Sequence, residues 1–264
     1  MLALITGATG GLGRAMAVEC ARRGYDLFLT DLSEAPLWEL AGGIARRFGS
    51  NVRVCACDLT DETQVASLFE EVDGCGEKLG LLLNIAGVDY EGGFLTRESG
   101  KIAKIIQLNI EATLRVTHAA LNRRAKEFYV VNVSSLASLY PMPLKATYAA
   151  SKRFLLDFSI ALGRELSREG VHVLALCPGG MPTTPENTAS LQAQGFWGSV
   201  TSHDLGRIAY NTLRHALRGG RVYIPGAVNR ALCIAGKLLP REWIAAFIYA
   251  RWNATQKKWL TTGM

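Results

Sequence analysis

Short runs of almost wholly apolar residues alternate along this chain with longer segments in which apolar residues recur at helical spacing. Leu2–Thr6, Asp26–Thr30, Val52–Cys57, Leu79–Asn84, Phe128–Ser134, Val171–Cys177 and Arg221–Ile224 read as strands. Helices are expected from the first strand to Arg22, and near Glu34–Phe48, Thr63–Val72, Lys101–Arg124, Tyr148–Arg168 and His203–Arg218. Strands that are apolar throughout, with no polar alternation, belong in a parallel sheet covered on both faces. The fold class expected is α/β, a doubly wound parallel sheet whose ligand lies beyond the carboxyl ends of its strands. No internal repeat or low-complexity linker divides the chain. Residues 1–225 read as one domain and residues 226–264 as an extension, in which Pro240 separates two expected amphipathic helices.

Charge singles out that extension. The formal net charge is +6, and residues 219–264 carry seven basic side chains (Arg221, Arg230, Lys237, Arg241, Arg251, Lys257, Lys258) against one acid, Glu242. The rest of the chain is neutral, with 22 charges of each sign, so no nucleic-acid partner is expected. The basic residues are interleaved with Leu232, Ile234, Leu238, Leu239, Trp243, Ile244, Phe247, Ile248, Trp252 and Trp259. A cover on a substrate pocket, a dimer surface and a peripheral membrane contact are all open for this segment, with packing or dimerisation the default. A homodimer or homotetramer is the expected assembly.

The opening residues Met1–Thr6 lack a basic leader region and run straight into glycines, so they read as a strand, not a signal peptide. No apolar stretch reaches the ~18 residues of a membrane span. Cys20, Cys55, Cys57, Cys75, Cys177 and Cys233 form no CxxC pair and have no histidine at metal-ligand spacing. They read as small buried hydrophobes in a reducing cytoplasm, with neither disulfides nor metal. His118, His172, His203 and His215 are scattered and read as packing or surface residues.

Candidate chemistry begins at Thr6-Gly7-Ala8-Thr9-Gly10-Gly11-Leu12-Gly13, between the first strand and the first helix. Glycines there permit a tight turn and let a pyrophosphate approach backbone N–H groups at a helix N-terminus. Asp31 closes the second strand 24 residues after Gly7, where a carboxylate accepts ribose hydroxyls and repels a 2′-phosphate. Neither Gly10 nor Leu32 offers a cation for that phosphate, so NAD is favoured over NADP.

Downstream, Asp58-Leu59 ends the third strand and Asn84-Ile85-Ala86-Gly87 the fourth. Asn109 lies in a helix, Ser135 follows the fifth strand, and Tyr148-Ala-Ala-Ser-Lys152 comes 13 residues later. Pro178-Gly179-Gly180-Met181-Pro182-Thr183 follows the sixth strand. Six motifs in this order resemble the short-chain dehydrogenase/reductase family over about residues 1–225, with a hydroxysteroid-dehydrogenase-like flavour. The resemblance implies a Rossmann sheet and a catalytic tetrad of Asn109, Ser135, Tyr148 and Lys152. It implies a cofactor site made from Thr6, Gly7, Thr9 to Gly13, Asp31, Leu32, Asp58, Leu59, Asn84, Ala86, Gly87, Tyr148, Lys152, Pro178, Gly179, Met181 and Thr183, with Thr183 on the nicotinamide carboxamide. Ile85 departs from an asparagine common in the family and Ser138 from a glycine; neither position carries proton transfer.

The chemistry is consistent with that reading. Tyr148 and Lys152, four apart, share one helix face. A tyrosine near pKa ~10 is a poor acid–base catalyst at neutral pH, and an adjacent ammonium and an oxidised nicotinamide both favour the phenolate. Ser135 would bind the substrate oxygen, and Asn109 would hold a water linking Lys152 to solvent. Between Thr183 and His203, Phe196 and Trp197 lie among small and polar residues flanked by Gly195 and Gly198, a composition that suits either a mobile lid or a loop pinned by its aromatics. Leu136, Leu139, Tyr140, Met142 and Leu144 are expected to line an apolar pocket, and Lys145 is the nearest cation to it. A bulky apolar secondary alcohol or ketone, such as a steroid, a bile acid or an acyl chain, is the substrate class expected. The alternatives are an NADPH-dependent 3-oxoacyl or ketone reductase and a non-catalytic dinucleotide-sensing module.

Overall fold

The computed structural model describes residues 1–181 and 204–261. Seven strands form one sheet: β1 (Leu2–Thr6), β2 (Asp26–Asp31), β3 (Val52–Ala56), β4 (Leu79–Asn84), β5 (Arg124–Val133), β6 (Val171–Leu176) and β7 (Val222–Tyr223). Their order is β3-β2-β1-β4-β5-β6-β7 and every pairing is parallel. The chain winds one way from β1 to β3 and the other way from β4 onward. The reversal opens a crevice above the carboxyl ends of β1 and β4, the place where such sheets bind ligands.

Strand side chains alternate between two cores, as the period of two requires. In β1, Ala3 and Ile5 pack with α1 (Gly11–Arg22), α2 (Glu34–Phe48) and α7 (Leu205–Ala216). Leu2 and Leu4 face the other way, toward α3 (Glu62–Asp73) and α5 (Thr113–Leu121). All five residues of β1 are buried, which explains why the strand reads as an unbroken apolar run. Each such Leu or Ile contributes roughly 1.5–3 kcal/mol by leaving water.

The helix expected over Lys101–Arg124 is in fact three pieces: α4 (Ser99–Ile106), a π-helical turn (Gln107–Ala112) and α5. The chain then enters β5 at Arg124, ahead of the expected Phe128. Arg124, Ala125, Lys126 and Glu127 extend past the core, so hydropathy does not mark them, yet Arg124 pairs with Leu79 of β4. α6 (Ala146–Glu165) carries the Tyr148–Lys152 face.

The extension forms α8 (Ala227–Leu238) and α9 (Arg241–Thr261), broken at Leu239–Pro240 as expected. In the first half of α9, Trp243, Ile244, Phe247 and Ile248 fall at i, i+1, i+4 and i+5 and so share one side of the helix, while no such stripe runs the whole length of Arg241–Thr261. α8 is seated against the short 3-10 turn Leu136–Leu139, and Gly236 makes that possible, since a Cβ there would overlap the Tyr140 ring.

Candidate active site

The glycine turn folds on itself above β1. Gly7 has φ +64, and a Cβ on it would lie 2.8 Å from the Ala86 nitrogen. A Cβ on Gly13 would run into the Gly7 carbonyl oxygen. Both contacts are with backbone, so Gly13→Ala is expected to destabilise the protein by about 1–3 kcal/mol through overpacking. A melting curve should show a Tm lower by several degrees. Gly10 caps the start of α1 with no side chain, leaving first-turn amides free to meet an anion.

On the β2 and β3 side, Asp31 Oδ2 accepts from Thr9 N (2.9 Å) and Thr9 Oγ1 (2.6 Å), while Oδ1 accepts from Leu32 N (2.8 Å). Asp58 accepts from the Thr60 hydroxyl (2.6 Å) and amide (2.9 Å) and lies 3.4 Å from Lys104 Nζ. The Thr60 hydroxyl, with help from Lys104, holds the Asp58 carboxyl below the usual carboxylate range.

On the β4 to β6 side the proposed catalytic residues converge. Asn109 sits in the π turn, fully buried. A π turn shifts the helix register by one residue, a distortion common at functional sites. Here it aims the Asn109 amide at Val88, accepting from its N–H (2.8 Å) and donating to its carbonyl (3.0 Å), with a second donation to Ser151 Oγ (3.1 Å). A Cβ on Gly87 would meet Asn109 Oδ1 at 3.0 Å and Lys152 Nζ at 3.2 Å, so these two groups meet over that glycine. Lys152 Nζ donates to the Val133 carbonyl (2.9 Å) and lies 5.8 Å from the centroid of the Tyr148 ring. The Ser135 hydroxyl lowers the proton affinity of Tyr148 from beside it and accepts from Ala137 N (3.1 Å). Ser134 instead donates to the Lys152 carbonyl (2.7 Å), which leaves Ser135 as the serine facing the tyrosine.

Burial dominates the protonation of this cluster. It pushes Tyr148 up to about 12, with Asp89 adding to the rise and Ser135 and Lys145 opposing it. Burial also pushes Lys152 down to about 8. In the protein alone, burial sets the proton affinity of Tyr148, and the neighbours that oppose it are Ser135 and Lys145.

Beside Tyr148 lies an ion cluster that the sequence reading noticed only through Lys145. Lys145 Nζ binds Asp89 Oδ2 (2.6 Å) and Glu91 Oε1, and sits 5.7 Å from the centroid of the Tyr148 ring. Attraction to the two carboxylates overcomes burial and raises Lys145. Burial leaves Asp89 raised despite the shared ammonium. The adjoining Leu144 has φ +67, and its carbonyl accepts from Gly92 N (2.9 Å), which ties the two loops together.

A cavity of about 1360 Å³ joins all of this. It runs from Gly7, Thr9 to Gly13, Asp31, Leu32, Asp58 and Leu59, past Ala86, Gly87, Ser135, Tyr148 and Lys152, to Leu136, Tyr140 and Met142. Pro178, Gly179 and Met181 also line it. Its roof is Leu232, Gly236, Leu239, Trp243, Ile244, Phe247, Ile248 and Arg251 from α8 and α9.

The family model for short chain dehydrogenases matches residues 1–194. The chain belongs to the short-chain dehydrogenase family. It is 32% identical over 177 residues to a very-long-chain 3-oxoacyl-CoA reductase of Laccaria bicolor, covering 65% of this chain and 52% of that protein. It is 32% identical over 186 residues to 17-beta-hydroxysteroid dehydrogenase type 3 of Mus musculus, covering 69% of this chain and 60% of that one. The chain thus spans only part of the length of these relatives. A short-chain dehydrogenase from Sphingobium yanoikuyae, solved with NADPH, superposes with a TM-score of 0.78 at 28% identity, covering 89% of this chain and 92% of that one. A bulky-bulky ketone specific alcohol dehydrogenase from Comamonas testosteroni gives 0.74 at 27% identity, covering 85% of each chain.

Some dehydrogenase-family residues do other work here. Thr6 does not reach the cavity; its hydroxyl accepts from Ile85 N (3.1 Å) and Ala86 N (3.2 Å), tying β1 to β4. Asn84 is also out of reach, donating to Thr117 Oγ1 (2.9 Å) and Asn132 Oδ1 (2.8 Å) in a buried network. Leu139 turns toward Leu156, Ala175 and Cys177, and Leu144 lines a smaller space beside Tyr148 instead of the main cavity. Thr183, Phe196 and Trp197 lie outside the described residues. Sequence reasoning missed Asp89, Glu91, Lys104 and Arg251 as cavity residues. No cluster of potential metal ligands occurs among the described residues, and the six cysteines are free.

Proposed function

We propose that the protein is an oxidoreductase that moves a hydride between NAD(H) and a bulky apolar secondary alcohol or ketone. The observation that carries this is one cavity with Asp31 and an uncapped glycine turn at one end and an apolar chamber at the other, and with Ser135, Tyr148 and Lys152 between them. The residues present fit a dinucleotide: the turn has no room for side chains at Gly7 and Gly13, and Asp31 stands where ribose hydroxyls would be received. The bound dinucleotide supplies or accepts the hydride.

The chain's own residues handle the proton. In the reducing direction the Tyr148 hydroxyl gives its proton to the carbonyl oxygen; in the oxidising direction its phenolate takes the alcohol proton. Ser135, beside Tyr148, fixes the substrate oxygen and stabilises charge on it. Lys152 is buried, close to neutrality in its proton affinity, and aimed at the junction of Gly87 and Val133, where it can hold a ribose hydroxyl. Asn109 positions the Val88 backbone beside them.

For the cofactor, fluorescence titration is expected to show NADH binding about tenfold or more tightly than NADPH, because Asp31 would face the extra phosphate. Equal or tighter binding of NADPH would overturn the assignment. A turnover screen of steroids, bile acids and aliphatic ketones with both dinucleotides then sorts the substrate classes. An NADPH-dependent 3-oxoacyl reductase is the second reading, favoured by the similarity to very-long-chain 3-oxoacyl-CoA reductases and to a dehydrogenase solved with NADPH. A sensing module without turnover is the third, and it leaves the Ser135–Tyr148 contact without a use.

A further inference from the structure

The roof of the cavity also carries large apolar side chains that face solvent. Leu239, Trp243 and Phe247 line the chamber, yet they are 53%, 70% and 67% exposed. Ile234 on α8 and Tyr249 on α9 add to the same elbow. The connection between β4 and α4 contributes Phe94 and Leu95, both exposed, beyond the same edge of the sheet from which the cavity opens. Large apolar side chains grouped this way on a protein surface mark a contact with something else.

Charge identifies the partner. The elbow's helices carry Arg230, Lys237, Arg241, Arg251, Lys257 and Lys258 against Glu242 alone, while the remainder of the chain is neutral apart from Arg221 beside β7. Arg230 and Arg241 are exposed. A second copy of this chain docked symmetrically on the elbow would set two such basic patches against each other, an arrangement that costs affinity. An anionic lipid surface is complementary to both features: it takes up aromatic and aliphatic side chains at the headgroup boundary and attracts a basic collar. No described helix is long and apolar enough to cross a membrane.

We propose that the α8–α9 elbow docks the protein on an anionic bilayer surface with the mouth of the cavity against the lipid. Apolar ligands then pass between bilayer and chamber without crossing water. Docking rests on exposure and charge alone; the passage of substrate rests on the apolar-substrate reading above.

The test uses the full chain and vesicles of phosphatidylcholine, with and without phosphatidylglycerol, in a flotation assay. Binding is expected only to the phosphatidylglycerol vesicles and is expected to weaken as salt rises. Arg230→Gln with Arg241→Gln, both outside the cavity, is expected to cost about 25-fold in vesicle affinity, roughly fivefold per basic residue. The rate on a water-soluble ketone should stay unchanged. Trp243→Ser with Phe247→Ser should cost tenfold or more. Absence of binding to phosphatidylglycerol vesicles at low salt overturns the proposal. So does a change in oligomeric state, measured by sedimentation, when Trp243 and Phe247 are replaced, since that would assign the elbow to a second copy. Vesicle binding is read without turnover, so a failed substrate screen leaves it standing, and failure to bind lipid leaves the ketone reading standing.

Discussion

Tyr148→Phe is expected to lower kcat by about 10²–10⁴-fold while leaving dinucleotide affinity nearly unchanged. The substitution removes one oxygen from a ring that stays packed between Lys145 and Lys152, so the loss falls on proton transfer and not on the fold. Steady-state kinetics beside a cofactor titration separate the two effects. A variant that kept its rate would show that some other group moves the proton. The direction of catalysis should carry the same signature. With Tyr148 pushed up to about 12, the cofactor-free side chain is a phenol throughout the neutral range. Reduction, which consumes the phenol proton, is therefore supported there. Oxidation needs the phenolate, so its rate should climb with pH toward the apparent pKa.

Replacing Lys145 and replacing Asp89 should move that oxidation limb in opposite directions. Four groups face the Tyr148 hydroxyl region from the packed elements: Ser135 from the turn after β5, Lys152 from α6, and the Asp89–Lys145 pair from the loops beside it. Lys145 lowers the proton affinity of Tyr148 and Asp89 raises it. Lys145→Met leaves Asp89 and Glu91 facing the tyrosine without their shared ammonium, so the limb should shift to higher pH. Asp89→Asn removes a carboxylate while Glu91 still holds the lysine, so the limb should shift to lower pH. A purely structural role would lower both rates without opposed shifts. Lys145→Met should also cost roughly 1–3 kcal/mol of stability, a discounted figure for partly buried charges left unpaired, and Lys145→Arg should restore most of it. Thermal melts and pH–rate profiles on the same variants decide both points.

The reason one part of this site is legible in sequence and another is not lies in how each is built. Gly7 to Gly13, Asp31 and the Tyr148–Lys152 pair are held by local geometry: a turn, a strand end, one helix face. Each therefore leaves a fixed spacing. The Asp89–Lys145 ion pair joins residues 56 positions apart across two loops, and no local pattern marks it. The π turn around Asn109 is similar, because hydropathy over Lys101–Arg124 continues through it; only the packing of Val88 and Ser151 against the amide reveals it. Thr6 and Asn84 are spent on the sheet itself. They sit at strand ends beside the cofactor crevice, but their side chains point into the sheet and satisfy buried polar groups there. The roof of the cavity was open among three roles in sequence because a basic, apolar tail does not say which of its faces looks inward.

Gly236 gives that roof a mechanical meaning. The helix that carries it rests on the Tyr140 ring, only a few residues from Ser135, and the contact exists because one carbon is missing. The clearance between ceiling and catalytic floor is thus set by a single absent methyl group, with the serine turn as the pivot. Any side chain at 236 would act as a shim, lifting the elbow and with it the width of the doorway through which a ligand enters, while the glycine turn and Asp31 at the far end of the cavity stayed where they are.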